Sequence, residues 1–411
     1  VKEVFLENYH VIEETEKQLQ EVFNEVSKVV TFNQHKVLEN FRSLQVSDYH
    51  FNPTTGYGYD DAGREKIEEV YANVFGGEDA LVRPQLISGT HAITTALFGN
   101  LRPGDELVSI TGRPYDTLEN VIGIDQPVDG SLTDFGIVYN EIDLNEVGQV
   151  NYEQVKKVIN PNTKMIAIQR SKGYADRPSF TIDDIQEMIR FVKEINEDII
   201  VFVDNCYGEF VENKEPLEVG ADIIAGSLIK NPGAGIVKTG GYIVGKKELI
   251  ERSANYLVAP GLGKETGPSL YSLQEMFQGL FLAPHVVGEA LKGAIFTSAL
   301  LKNFGYQTTP GPNDYRTDLI QSITFNSKEE MIKFAQVVQQ QSPINSHVTP
   351  YPSYMPGYEH DVIMAAGTFI QGASLELTAD GPIREPYTLY VQGGLTYEHV
   401  KIAISQGLLA L

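Results

Sequence analysis

The sequence predicts an α/β protein in which a largely parallel β-sheet, covered by helices on both faces, is followed by a smaller α+β lobe. Two patterns carry this expectation. From about residue 64 to about 250, short apolar runs alternate with stretches of helical period. After about residue 270 the order changes to a long helix, a strand, a helix and further strands. The size agrees: 411 residues with 42% hydrophobic and 21% charged side chains can bury a large core and exceed one small domain. The expected division is a helical segment over 1–50, a large domain over 51–270 and a small α+β domain over 271–411.

Residues 1 to about 45 space their apolar side chains helically and contain no Pro or Gly, which predicts one or two amphipathic helices. Arg64 to Phe75 and His91 to Phe98 read as helices, the second entered through Ser88-Gly89-Thr90. Glu106 to Ile110 and Met165 to Ile168 read as strands. Asp183 to Ile195 sets Ile185, Met188, Ile189, Val192 and Ile195 along one face, and Thr181 to Asp184 supplies a capping-box entry. Ile199 to Val203 is an unbroken apolar run, as expected of a strand buried on both faces, and it ends at Asp204. Ligands of such sheets bind at the carboxyl ends of the strands, which places Asp204 at a site. In the second lobe a helix is expected near Val286 to Leu301, a strand near Leu319 to Phe325, a helix near Glu329 to Gln341 and a closing helix from about Tyr397. Loops are expected at Thr309 to Pro312 and Tyr351 to Gly357.

Charge narrows the function classes. With 32 Lys and Arg against 55 Asp and Glu, the net charge of −23 repels nucleic acid and anionic membranes, so neither is an expected partner and a small molecule is. The single cysteine, Cys206, excludes an intrachain disulfide and suits a reducing compartment, for which cytoplasm is the expectation. The N-terminal residues lack the uninterrupted apolar core of a signal peptide, and no stretch reads as the roughly 20 apolar residues of a membrane span. The histidines show no metal-ligand spacing, Glu359-His360-Asp361 reads as a solvated loop, and no metal is expected. Gly233 to Thr239 lacks the Gly that a phosphate loop sets before its Lys.

The chemistry concentrates downstream of the apolar strand. Lys230 lies in Gly226-Ser227-Leu228-Ile229-Lys230-Asn231, following the strand that ends in Asp204. An amine able to hold an aldehyde covalently, and a carboxylate able to keep a pyridine nitrogen protonated, are the two groups pyridoxal phosphate requires. Ser88-Gly89-Thr90-His91 opens a helix whose free N–H groups suit a phosphate, although Ser88 as a plain N-cap accounts for it equally. Ser227 is a second hydroxyl for that phosphate. Tyr115 follows the strand ending near Ile110 and is placed to stack on a flat ring, with a packed core tyrosine as the alternative. Cys206 lacks an identifiable base and reads as a small buried packing residue.

In this order of motifs the chain resembles the pyridoxal-phosphate enzymes of the aspartate-aminotransferase fold, fold type I, and within them the Cys/Met-metabolism group of C–S lyases. The resemblance runs through Tyr57-Gly58-Tyr59 with Arg64, Ser88-Gly89-Thr90-His91, Tyr115, Asp204, Ser227 with Lys230, and Pro260 to Thr266. It is closest to the methionine gamma-lyase-like or aluminium-resistance branch, through GTHAI, GRPYDTLENVIG, VDNCYGEF and SLIKNPGAGIVKTGGYIVG. The resemblance implies that Lys230 binds the cofactor, Asp204 pairs with its ring nitrogen, Gly89, Thr90 and Ser227 hold its phosphate beside Ser88, and Tyr115 stacks on its ring. It implies also that Tyr57 or Tyr59 reaches the phosphate of a neighbouring subunit, hence a homo-oligomer, dimer or tetramer, with shared active sites. The chain departs from the group at Ile229, where a Thr is usual, and in the strand Tyr387 to Leu395, which lacks the usual carboxylate-binding Arg. Arg384, Arg113 and Arg170 are the candidates for that role.

The implied activity is elimination of a thiol from a sulfur-containing amino acid, giving a 2-oxo acid and ammonia. Lys230 acts as the base and Tyr115 assists the leaving group. The resemblance favours gamma- over beta-elimination, that is, a methionine gamma-lyase-like over a cystathionine beta-lyase-like reaction. An aminotransferase or racemase uses the same constellation. A non-catalytic cofactor-binding regulatory protein is the alternative from another class.

Overall fold

The structure is a computed structural model that describes residues 9–175, 177–355 and 360–411. Pro356, Gly357 and Glu359 of the expected loops lie outside the described residues.

Two helices, α1 (Tyr9–Gln18) and α2 (Gln20–Ser43), account for the N-terminal amphipathic pattern. Helix α3 (Ala62–Phe75) then leads into β1 (Asp79–Arg83), α4 (Gly89–Asn100), β2 (Glu106–Ser109), α5 (Asp116–Ile122), β3 (Val138–Glu141), α6 (Tyr152–Val158), β4 (Thr163–Gln169), α7 (Ile182–Ile195), β5 (Ile200–Asp204), β6 (Ile223–Ser227), β7 (Gly241–Gly245) and α8 (Lys247–Leu257). The seven strands form one sheet in the order β1-β7-β6-β5-β4-β2-β3. β2, β3, β4, β5 and β6 run parallel. β7 returns antiparallel between β6 and β1.

Both faces of this sheet are buried, which is why its strands read as continuous apolar runs. Along β5, Ile200 and Phe202 join Ala92, Ile93 and Leu97 of α4 and Leu249 and Ile250 of α8 on one face. Val201 and Val203 turn to the other face, against Ile185, Met188 and Val192 of α7. The Thr181 hydroxyl accepts from the Asp184 N–H at 3.1 Å while Asp184 accepts from the Thr181 N–H at 2.9 Å, completing the expected capping box.

The long helix α9 spans Leu273–Asn303, starting well before the expected Val286. Pro284 signals a helix start in the sequence, yet it sits inside the helix, because Leu273, Met276, Phe277, Leu280 and Ala283 are all buried on the core side. By length and composition α9 alone among the described helices could cross a membrane, contrary to the sequence reading, but most of its apolar stretch is buried within the fold. A second, antiparallel sheet follows in the order β10-β11-β12-β9-β8. Its strands are β8 (Gln307–Thr309), β9 (Gln321–Thr324), β10 (Val362–Ala365), β11 (Thr378–Pro382) and β12 (Thr388–Gln392), joined by α10 (Lys328–Gln340) and α11 (Tyr397–Leu409). The mostly parallel sheet followed by an antiparallel one is the expected α/β arrangement.

Removing the α7 cap by Thr181→Ala should lower stability by about 1 kcal/mol. Equilibrium denaturant unfolding reads the change, and Thr181→Ser should largely preserve the wild-type value.

Candidate active site

The carboxyl edge of the parallel sheet gathers the predicted residues from separate stretches of chain. Asp204 ends β5 opposite Ala225 of β6, so the segment that continues through Ser227 to Lys230 emerges beside it. Gly89 opens α4 against this segment. A Cβ added to Gly89 would meet the Ser227 Cβ at 3.1 Å and the Cys206 Sγ at 3.4 Å, so a larger residue would need its neighbours to give way. The first-turn N–H groups of α4 therefore lie next to the Ser227 loop, in a place suited to a phosphate. Ser88 is the N-cap, its hydroxyl accepting from the His91 N–H at 3.0 Å, so both of its readings are compatible with the geometry. The Ser227 hydroxyl accepts from the Ile229 N–H at 3.3 Å.

A cavity of about 530 Å³ opens over this edge, with Tyr115, Asp204, Cys206, Tyr207 and Lys230 in its wall. Tyr115 is anchored at the start of α5. Its N–H donates to Gln169 Oε1 at 3.0 Å, and its hydroxyl lies 2.7 Å from the Thr90 hydroxyl. Burial, reinforced by the Asp204 charge, pushes the Tyr115 phenol up to about 12, so near neutral pH it is a proton donor. Burial also pushes the Asp204 carboxyl above its ordinary range, opposed by Lys230, by the Cys206 N–H at 3.1 Å and by Arg177. A buried carboxylate of this kind is stabilised by a cation set against it, which is what a protonated pyridine nitrogen provides. Burial opposes the charged form of Lys230, but the acidic groups around it, Cys206, Tyr207, Tyr115 and Asp204, hold the amine above its usual value. Desolvation pushes the Cys206 thiol up, so it stays protonated and unreactive. The residues present fit pyridoxal phosphate: an amine and a carboxylate in one cavity, and a helix N-terminus closed tightly against a serine loop.

The methionine gamma-lyase family profile matches residues 8–411. The chain belongs to that family. Membership makes it a pyridoxal-phosphate-dependent carbon–sulfur lyase. Protein YnbB of Bacillus subtilis is 62% identical over 95% of this chain and 93% of its own length. A Listeria monocytogenes crystal structure, provisionally described as a cystathionine beta-lyase involved in aluminum resistance, superposes with a TM-score of 0.97 at 61% identity over 98% of this chain and 99% of that one. A Clostridium novyi structure, described as a carbon-sulfur lyase involved in aluminum resistance, gives 0.94 at 47% identity over 100% and 96% of the two chains.

Within this family frame the candidate arginines separate. Arg170 is fully buried, facing away from the cavity, and its guanidinium binds Asn205 at 2.9 Å, Glu212 at 3.0 Å and Glu215 at 3.4 Å. It is a structural ion-pair residue, which corrects its expected place among the substrate ligands. Arg113 lines the cavity but is already paired, with Glu119 at 2.7 Å and Asp125 at 2.6 Å. Arg384 lines the cavity as well, is exposed, and has no side-chain partner among the described residues. Tyr57 and Tyr59 line no part of this chain's cavity. They stack on one another at 5.5 Å between centroids and are 72% and 54% exposed. Arg64, which accompanied them in the sequence, is buried, and its guanidinium binds the carbonyls of Gly267 at 2.9 Å and Glu265 at 3.4 Å. It pins the tyrosine segment to the turn before α9.

Sequence reasoning missed Lys172, Tyr174 and Tyr207, which also line the cavity. Lys172 and Tyr174 follow β4, whose carboxyl end was the available signal. The placement of Tyr207 depends on a backbone conformation that no local pattern reveals.

Two substitutions separate these roles. Arg170→Ala should cost about 3–5 kcal/mol in unfolding experiments, because Glu212 and Glu215 lose their buried counter-charge. Arg384→Ala should leave unfolding within about 0.5 kcal/mol of wild type, as expected of an exposed side chain. In the holoenzyme, Lys230→Ala should abolish borohydride fixation of the cofactor to the chain, and peptide mapping identifies the lysine that carries it.

Proposed function

We propose that the enzyme cleaves the C–S bond of a thioether amino acid whose far end is polar or charged, a cystathionine-type substrate, releasing a thiol, ammonia and a 2-oxo acid. The cavity lining supports this reading. Among the described residues that line it there is no Leu, Ile, Val, Met or Phe. Arg113, Lys172 and Arg384 face it alongside Asp116 and Glu119. The methyl thioether of methionine is best held in an apolar slot, whereas a distal amino-acid head group carries one charge of each sign and finds partners of both signs in this lining. That balance moves the preference from the gamma-elimination favoured by the family resemblance to beta-elimination. A methionine-type gamma reaction is the second reading, carried by the family match itself.

When bound, pyridoxal phosphate supplies the electron sink that makes the proton on the substrate α-carbon removable. Lys230 would hold the cofactor, and its free amine would be the base that takes that proton. Asp204 would hold the ring nitrogen in its protonated form. Tyr115, protonated and poised by Thr90, is placed to give its proton to the departing sulfur. Ser88, Gly89, Thr90 and Ser227 would hold the phosphate, and Arg384, exposed in the cavity wall, would take the substrate carboxylate.

The same reading includes an assembly of at least two subunits in the cytoplasm. Tyr57 and Tyr59, together with exposed Ile87, Leu270 and Tyr271, make an apolar surface that a second copy would cover while reaching the first copy's phosphate.

Measured against a panel of sulfur amino acids, cystathionine should release pyruvate and a thiol with a kcat/KM at least about tenfold above that of methionine, the scale expected when charged groups lose their partners. In heavy water, recovered slow substrate should carry deuterium at Cα only. Exchange at Cα and Cβ with preferred release from methionine would reassign the reaction to gamma-elimination. Tyr115→Phe should lower kcat by about 10²- to 10⁴-fold while leaving cofactor attachment intact. Sedimentation should find no monomer with tightly held cofactor at micromolar protein.

A further inference from the structure

Beside the site, Tyr207 makes a contact with Lys230 that none of the roles above uses. Lys230 Nζ lies over the Tyr207 ring, 4.1 Å from its centroid, and both residues line the cavity. A cation at this distance from an aromatic face is attracted to it. The ring reaches that position at the expense of its backbone, since Tyr207 has φ 71° and Phe210, on the other side of the turn, has φ 63°. Side-chain-bearing residues adopt this left-handed region only where the surroundings over-determine it, and such strain concentrates at functional sites.

Glu209 supplies the surroundings. It is wholly buried between the two strained residues. The Tyr242 hydroxyl of β7 donates to its Oε1 at 2.6 Å, and Asn231 Nδ2, on the residue after Lys230, donates to its carbonyl at 3.0 Å. Phe210 donates its N–H to Glu215 Oε1 at 2.9 Å. Tyr242 is itself seated on Gly226, where a Cβ would lie 2.6 Å from its ring. The Tyr207 turn, the Lys230 loop and β7 therefore meet at this one residue, the loop at its backbone carbonyl and β7 at its carboxyl group. Burial pushes that carboxyl up to about 8, with the Tyr242 hydrogen bond pulling the other way, so near neutral pH it is mostly the uncharged acid. A neutral group suits a place where its second oxygen, Oε2, has no partner among the described residues.

We propose that Tyr207 is a positioning residue for Lys230, its ring face fixing where the amine sits and favouring its charged form, and that the Glu209–Tyr242 contact holds the ring there. The proposal rests on the family's cofactor and on Lys230 as its attachment point, and is independent of which thioether is cleaved. The groups that face Lys230 are Asp204, Tyr115, Cys206 and Tyr207, with Glu209 behind the turn. Of these, Tyr207 meets the amine with a ring face.

The test uses the holoenzyme without substrate and follows the absorbance of the lysine-linked cofactor against pH, with far-UV circular dichroism and the unfolding midpoint as checks on the fold. Tyr207→Leu should lower the spectral midpoint by roughly half to one pH unit, the size of a lost cation–π contact. Tyr207→Phe keeps the ring and should stay near wild type. Glu209→Gln retains an acceptor for Tyr242 and should also stay near wild type, whereas Glu209→Ala should shift the midpoint in the direction of Tyr207→Leu. Tyr242→Phe, which removes the donor while Tyr207 keeps its side chain, should loosen the hold on the ring and shift the midpoint the same way by a smaller amount. A folded Tyr207→Leu protein with the wild-type midpoint overturns the proposal, as does an equal shift in Tyr207→Phe. Should Tyr207→Leu fail to fold, unchanged midpoints in both Glu209→Ala and Tyr242→Phe overturn it instead. Borohydride mapping of the cofactor to a lysine other than Lys230 would break the site assignment, whereas a failure of cystathionine turnover would leave the spectral result standing.

Discussion

The pairing of β5 with β6 puts Asp204 opposite Ala225, and the geometry of the site descends from that register. Both strands are buried on both faces, so a slip by one residue would turn every side chain to the wrong layer and draw Asp204 away from the loop that follows Ser227. The register also sets where glycine is required. Gly89 must meet Ser227 across one interface, and Gly226 must lie under the Tyr242 ring on the other side of the sheet. A methyl group added at Gly226 would collide with the Tyr242 ring, and one at Gly89 would crowd Ser227.

Around this register the fold buries an unusual amount of charge. Asp204, Glu209, Glu212, Glu215 and Arg170 are all buried near the carboxyl ends of β4 and β5. The Arg170 group is compensated within itself, by ion pairs and the Asn205 hydrogen bond, and stiffens the loops from behind. Asp204 and Glu209 are raised by desolvation. Asp204 faces the cavity, where a cationic ring nitrogen would relieve that penalty. Glu209 faces inward and avoids it by staying protonated. Two acids a short turn apart are thus both raised by burial, while the groups that oppose the shift differ: Lys230 and the Cys206 N–H at Asp204, the Tyr242 hydroxyl at Glu209.

The outer part of the cavity follows a different logic. Its charged lining comes from both lobes, with Arg113 and Lys172 near the parallel sheet and Arg384 beyond β11. The shape of this lining thereby depends on how the second sheet packs against the first. The residues proposed to hold the cofactor within one chain all belong to the first sheet and its connections. This division accounts for a family resemblance strongest in the cofactor motifs and weakest at the substrate carboxylate, where the usual strand arginine is absent.

Local sequence determined a great deal here. The double-sided apolar run into Asp204, the Thr181 capping box and the Ser88-Gly89-Thr90 helix start are short-range patterns, written by burial and by backbone hydrogen bonding within a few residues, and the structure has each where the chain places it. Asp204 was legible for the same reason, at the end of a recognisable strand, whereas Lys230 was read from its Ser- and Gly-containing segment downstream of Asp204, the strand β6 before it having gone unread. Other features required the assembled fold. That Arg170 points inward while Arg384 faces the cavity, that α9 runs through Pro284, and that Tyr207 turns its ring toward Lys230 are settled by contacts between residues distant in sequence. An arginine carries the same charge wherever it lies. Only the tertiary structure decides whether carboxylates already surround it, and only long-range anchors such as Glu209 to Tyr242 can hold a backbone in a conformation its own residues disfavour.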